Sequence, residues 1–186
     1  MLAAAAKLFA ANGYHNVTVD DIGAALGVSG PALYHHFRSK EAVLSEILLS
    51  FNEGLVETAK ASQTDDGRST LRNYISTLVE LALSQPELIE IHKRELVHAP
   101  AEIQQQVRAM KSAYVQFWVD ALCTLGATDR TLDFAAAQAV IGLIISTPNS
   151  RGVDASEMGA LLNEMASGAL GAYLGNPQLL QEVTVR

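Results

Sequence analysis

Apolar residues recur every three or four positions along almost the whole chain, and each break in that rhythm falls on a residue that stops or starts a helix. Leu2, Ala6 and Phe9 share one face of a first helix that Gly13 ends. Thr18 is a good N-cap for a short helix whose stripe is Val19, Ile22 and Leu26, with Asp20 and Asp21 at its positive end and Gly27 as its stop. Val28 is placed to wedge between helices, Ser29 to cap the next one, and Pro31 stands in its first turn, where a missing N–H costs nothing. Leu33 and Phe37 point inward there, leaving Tyr34, His35 and His36 outward.

A long helix opens at Ser39-Lys40-Glu41, with Val43, Ile47, Phe51 and Leu55 every fourth residue beside Leu44 and Leu48, and runs to about Ser62. The polar stretch Thr64 to Gly67 breaks it. Leu71, Ile75, Leu78 and Ala82 mark the next helix, which ends before Pro86, and PELIEIHKRELVHA forms another. From Pro100 to Leu125 a stripe of Ile103, Val107, Met110, Tyr114, Phe117, Ala121 and Leu125 is the most regular of all. Thr128 caps a nearly all-apolar helix to about Thr147. A loop at 148–152 follows, and Asp154 with Glu157 reads as a capping box for a last helix that stops near Gly175. No alternating strand interrupts the series, so the expected fold is all-α, with about nine helices.

Two short helices joined by so tight a turn form the unit that lays its second helix in the DNA major groove. The order GYHNVTVDDIGAALGVSGPALYHHFRSKEAVL also resembles the N-terminal domain of TetR-family transcriptional regulators, over about Leu2 to Leu48. A chance helix-turn-helix would supply the turn but not the Leu33-Tyr34-His35-His36-Phe37 run with Ser39-Lys40 after it. The resemblance implies a three-helix DNA-binding domain over 1–48 and a helical-bundle effector-binding and dimerisation domain over 49–186. It also implies that Thr18 and Lys40 touch phosphates at helix N-termini and that Tyr34 and His35 contact phosphate or base edges. Ser29, Gly30 and Pro31 complete the DNA-facing set. Gly30 and Pro31 stand where many relatives carry larger polar residues, so few side chains are left to read bases.

Charge pulls against this reading. The chain of 186 residues has a net charge of −7, and its first fifty residues set Lys7, Arg38 and Lys40 against Asp20, Asp21, Glu41 and Glu46. Affinity for DNA comes largely from cations, but position decides: His35, His36, Arg38 and Lys40 cluster where the second helix ends, and the acids fall in other turns. Relatives usually carry a short basic arm before the first helix, and such an arm is expected to precede the chain as given. A hydrophobic content of 49% fits one good core or two small ones. The lone Cys123 rules out an internal disulfide and suits a reducing cytoplasm. Phe134 to Ile145, the longest near-continuous apolar run, is too short to span a bilayer, so no membrane partner is expected.

Tyr74, His92, Tyr114, Phe117, Trp118 and Cys123 are the candidate lining of an effector pocket, because small-molecule sites are mostly apolar with a few polar groups. Trp118 lies beside the stripe of its helix rather than in it. The segment HKRELVHAPAEIQQQVRAMKSAYVQFWVDAL resembles family members that sense fatty or steroid-derived acyl thioesters, which implies a largely apolar effector. Glu95 and His98 have the Glu-x-x-His spacing of di-metal bundles, but that site needs a second such pair and two further glutamates. No metal, cofactor or catalytic residue is therefore expected, and no phosphate loop or nucleophile motif suggests an enzyme. The last two long helices are rich in small residues. Ala136, Ala139, Gly142, Leu143, Leu162, Met165 and Ala169 are the expected homodimer interface, where the resemblance places a four-helix bundle. The whole describes a ligand-responsive regulator, expected to be a repressor, acting as a homodimer on a palindromic operator. A metal-binding four-helix-bundle enzyme and a structural dimer that ignores DNA are the alternatives.

Overall fold

The computed structural model describes residues 2–27, 37–146 and 152–181. Among them are eight α-helices and no strand: α1 (Leu2–Asn12), α2 (Val19–Leu26), α3 (Lys40–Ala61), α4 (Gly67–Ser84), α5 (Pro86–Arg94), α6 (Ala101–Thr124), α7 (Arg130–Ser146) and α8 (Ala155–Tyr173). The second helix of the expected helix-turn-helix, with Ser29, Gly30, Pro31, Tyr34 and His35, lies outside the described residues.

Helix ends follow local chemistry. Gly13 and Gly27 take φ values of 78° and 67°, the left-handed conformation a side chain resists, and so close α1 and α2. Asp66 accepts from the backbone N–H groups of Arg68 and Ser69 to start α4, and Asp154 accepts from those of Ser156 and Glu157 to start α8. Two expectations are corrected. Asp129, not Thr128, caps α7, accepting from Thr131 N at 3.0 Å and Leu132 N at 3.2 Å. The helix from Pro86 stops at Arg94 and continues as a 3₁₀ turn over Leu96–His98. Pro100 disfavours helical backbone at the residue before it, and Ala99 is extended at φ −74°, ψ 154°, which ends the 3₁₀ turn.

The chain forms two compact units. The first, Met1–Leu55 with Glu87–Lys111, has one core: Ala5, Ala6 and Phe9 of α1, Tyr14, Val17, Ile22 of α2, Val43, Leu44, Ile47 and Leu48 of α3, and Ile91, Ala99 and Val107 from the second segment. Phe37 packs against it, as expected. Residues from 87–111 help to fill this core alongside the N-terminal helices. The second unit, Val56–Pro86 with Ser112–Arg186, packs α4 against α7 and α8, and α7 against α8. Its interior includes Leu71, Ile75, Leu78, Trp118, Leu122, Ile144, Leu162 and Leu170.

Helix α6 contributes to both units, and its buried face differs between them. Val107 fills the first core, whereas Tyr114, Val115, Trp118, Val119 and Leu122 are buried in the second. The single stripe expected along the helix is therefore too simple. Phe117 and Leu125 are only partly buried, and Trp118, expected beside the stripe, has no exposed surface at all.

Candidate functional site

Thr18 and Asp21 close a reciprocal capping box at the start of α2. The Thr18 hydroxyl accepts from Asp21 N at 3.1 Å and donates to Asp21 Oδ2 at 2.7 Å, while Thr18 N donates to the same carboxylate at 2.8 Å. These bonds hold the Asp21 carboxyl below the usual carboxylate range. Thr18 is exposed, so its side chain fixes the helix start from the surface.

Lys40, at the first residue of α3, does more than present a charge. Its ammonium donates to Tyr14 O at 2.8 Å and His15 O at 3.3 Å and sits 4.4 Å above the centre of the Tyr14 ring, a cation–π arrangement. Burial, reinforced by the Glu41 carboxylate, pushes the Tyr14 hydroxyl up to about 12. The same turn meets the second segment of its unit. The His98 ring stacks on Tyr14 at 5.4 Å and meets His15 edge-on at 4.3 Å. His98 Nε2 lies 3.6 Å from the carboxylate of Glu95, a residue only 5% exposed. The Glu-x-x-His spacing thus joins a histidine–tyrosine stack, and among the described residues no three potential ligands converge on a metal position. Sequence reasoning missed His15, since nothing in the sequence pairs it with a residue so far along the chain.

The six expected pocket residues do not form one group. Tyr74 and Tyr114 flank Trp118, with ring centres 5.5 and 6.2 Å away. All three are buried, and among the described residues the Tyr74 hydroxyl and Trp118 indole N–H have no hydrogen-bond partner. Burial pushes the Tyr114 hydroxyl up. Cys123 stands apart, its Sγ 3.8 Å from Asp133 Oδ2 and 3.7 Å from Arg130 Nη1. The fully buried Asp133 takes a 2.6 Å bond from the Tyr173 hydroxyl, so the thiol belongs to a knot between helices. His92 belongs to the first unit, where its Nδ1 lies 3.4 Å from Asn52 Nδ2 and its ring 5.6 Å from that of Phe51. Burial, then the Lys111 ammonium, pushes the imidazole down to about 3, and among the described residues its Nε2 has no partner.

Of the expected dimer residues, Leu162 is a correction. It is 1% exposed within its own chain, because it points into the second core. Ala139, Met165 and Ala169 are exposed, and Ala136, Gly142 and Leu143 partly so. Leu132, Leu161 and Tyr173, which the sequence did not single out as a face, are also large exposed apolar side chains on α7 and α8.

Residues 1–47 match the family model described as bacterial regulatory proteins, tetR family. The transcriptional repressor KstR2 of Rhodococcus jostii is 31% identical over 66% of this chain and 61% of its own length, so the chain spans about three-fifths of that relative. The fold is similar to a TetR-family transcriptional regulator from Bordetella parapertussis, at a TM-score of 0.80 and 24% identity, covering 94% of each chain. It is also similar to AibR, solved with isovaleryl coenzyme A and operator DNA, at a TM-score of 0.71 and 20% identity over 88% of this chain and 94% of AibR. Residues 1–47 thus match the tetR-family domain, and the helical architecture shares the fold of solved proteins described as TetR-family regulators.

Proposed function

We propose that this protein is a ligand-responsive transcriptional repressor that binds a palindromic operator as a homodimer, in the cytoplasm, and acts by binding rather than catalysis. The observation that carries the reading is the match of residues 1–47 to the tetR-family domain, on a head whose α1, α2 and α3 share one core. DNA contact is assigned to residues 1–48, through Thr18, Ser29, Gly30, Pro31, Tyr34, His35 and Lys40, and effector binding and dimerisation to 49–186. The effector is a largely apolar lipid-derived acid or acyl thioester. That assignment draws on the repressor KstR2 as a relative, on AibR having been solved with isovaleryl coenzyme A, and on the Tyr74–Tyr114–Trp118 cluster with its two orphaned polar atoms. The effector must favour the DNA-free state; a coupling of about 1–3 kcal/mol would change operator affinity about 5–150-fold.

The test is fluorescence anisotropy with DNA from upstream of the protein's own gene. Tyr34→Ala should weaken binding with the melting temperature unchanged. Lys40→Gln should weaken binding and flatten the salt dependence by about one unit of slope. It should also lower thermal stability, because Lys40 holds the Tyr14 and His15 carbonyls. Isovaleryl coenzyme A and longer acyl thioesters should release the DNA. Binding no tighter than to unrelated DNA at about physiological salt would overturn the operator assignment.

A further inference from the structure

Helices α4 and α8, both in the second unit, border a groove of about 720 Å³ that residues 180–181 help to line. Its walls are polar stripes at helical spacing: Arg72, Asn73 and Ser76 on α4, and Asn163, Glu164 and Ser167 on α8. None of the aromatic residues discussed above lines it.

The groove holds an unpaired cation and an unpaired anion. Arg72 is half-buried, and among the described residues it has neither ion pair nor hydrogen bond; its Nε is out of reach of solvent with no acceptor. A buried donor without an acceptor is costly to keep, and each such group in a folded protein calls for an explanation. Glu164 also has no ion pair among the described residues, so the two charges line one groove without neutralising each other. The amides offer acceptors on both walls. Asn73 Nδ2 donates to Ser62 O at 3.1 Å and Asn163 Nδ2 to Gly159 O at 2.8 Å, which turns each side chain so that its Oδ1 is free to accept. A guanidinium fork matches a carboxylate bidentately, and free amide oxygens with a carboxylate match a donor on the same molecule.

We infer that this groove is a second ligand site, one that binds a small polar acid whose carboxylate meets Arg72 and whose neighbouring amino or hydroxyl group donates to Glu164 and the asparagine amides. An α-amino acid and an α-hydroxy acid share that chemistry. The site is polar, and so distinct from the apolar effector site proposed above; its test needs no DNA and stands or falls separately from the operator reading.

L-aspartate, L-malate and succinate share one carbon skeleton and differ only in carrying an amino group, a hydroxyl or hydrogen beside one carboxylate. Calorimetric titration of the full chain with each, up to about 10 mM so that a millimolar site fills, should show binding of aspartate or malate and about tenfold weaker binding of succinate, the effect of one lost hydrogen bond. Arg72→Met should abolish binding while the unliganded protein melts no lower than wild type, since the change removes the orphaned donor. Glu164→Gln should weaken aspartate more than malate. Absence of binding by all three, binding that survives Arg72→Met, or succinate binding as tightly as the other two would overturn the site.

Discussion

His92 shows how one buried side chain ties stability to pH. Its imidazole is pushed from an ordinary value of 6.5 down to about 3, first by burial and then by the Lys111 ammonium. A histidine held neutral in the folded state gives up stability as the unfolded chain takes protons that the native chain refuses. Its contribution is therefore complete above the unfolded value of about 6.5 and lost as pH falls toward 3. Between pH 7 and pH 5 the loss integrates to about 2 kcal/mol, at about 1.4 kcal/mol per pH unit once the unfolded residue is fully protonated. Urea midpoints at the two pH values should thus fall further for wild type than for His92→Gln, by that difference. Equal losses in the two proteins would show that His92 is neither buried nor neutral in solution. Lys40 carries a related lesson. Its N-terminal position on α3 was legible in the sequence, but its bonds to Tyr14 O and His15 O were not, because a contact across 26 residues leaves no periodic trace. Any loss of DNA binding in a Lys40 variant must be read beside its stability.

Among the elements, the sequence was most legible where capping and periodicity agreed. Thr18, Gly27 and Asp154 bound α2 and α8 where expected, and Val43, Leu44, Ile47 and Leu48 are buried on α3 as their spacing required. It was least legible where neighbours outvoted local pattern. The stripe of α6 missed Trp118 and Val119 because that helix serves two cores, each setting its own buried face. Gly67 is another case. As the first residue of α4 it reads as a weak helix former, yet a Cβ there would collide with the Thr124 side chain and approach Ala121 O to 3.0 Å. Thr124 cannot easily yield, since its hydroxyl donates to that same carbonyl at 2.7 Å. Gly67→Ala should therefore destabilise by about 1–3 kcal/mol, the usual effect of overpacking. Gly54, exposed in the middle of α3 with open space around it, should show the opposite. Replacing it with alanine should stabilise by about 0.5–1 kcal/mol. Thermal melts separate the two directly; a Gly67 variant as stable as wild type would mean that α4 and the end of α6 are not in close contact.

At the scale of the whole molecule, two long helices rich in apolar and small residues were visible in the sequence, but which of their faces a chain buries alone was not. An apolar face on a helix says that something covers it and does not say what. The fold divides the question. Leu162, Leu170, Ala137, Val140 and Ile144 are consumed by the chain's own core, whereas Leu132, Leu161 and Met165 stay 46–56% exposed on α7 and α8. Ala139 and Ala169 are exposed with them, and Gly142 and Gly168 have open space where a side chain would stand. Small residues beside large apolar ones allow another helix to approach closely, and exposed apolar area of this kind marks an association surface. We propose a second copy of the same chain as the partner, because the operator reading requires two heads and closed twofold pairing is the commonest way to supply them. Met165→Glu and Ala139→Asp then make a clean test. Both positions are exposed in the single chain, so each variant should keep its melting behaviour when dilute, while burial of an unpaired charge at the interface should cost several kcal/mol of association. Sedimentation should show a dimer for wild type and a single chain for either variant, with operator binding lost in parallel. A wild-type protein that sediments as a single chain at about micromolar concentration would remove the dimer, and dimers that tolerate both charges would move the interface to another face.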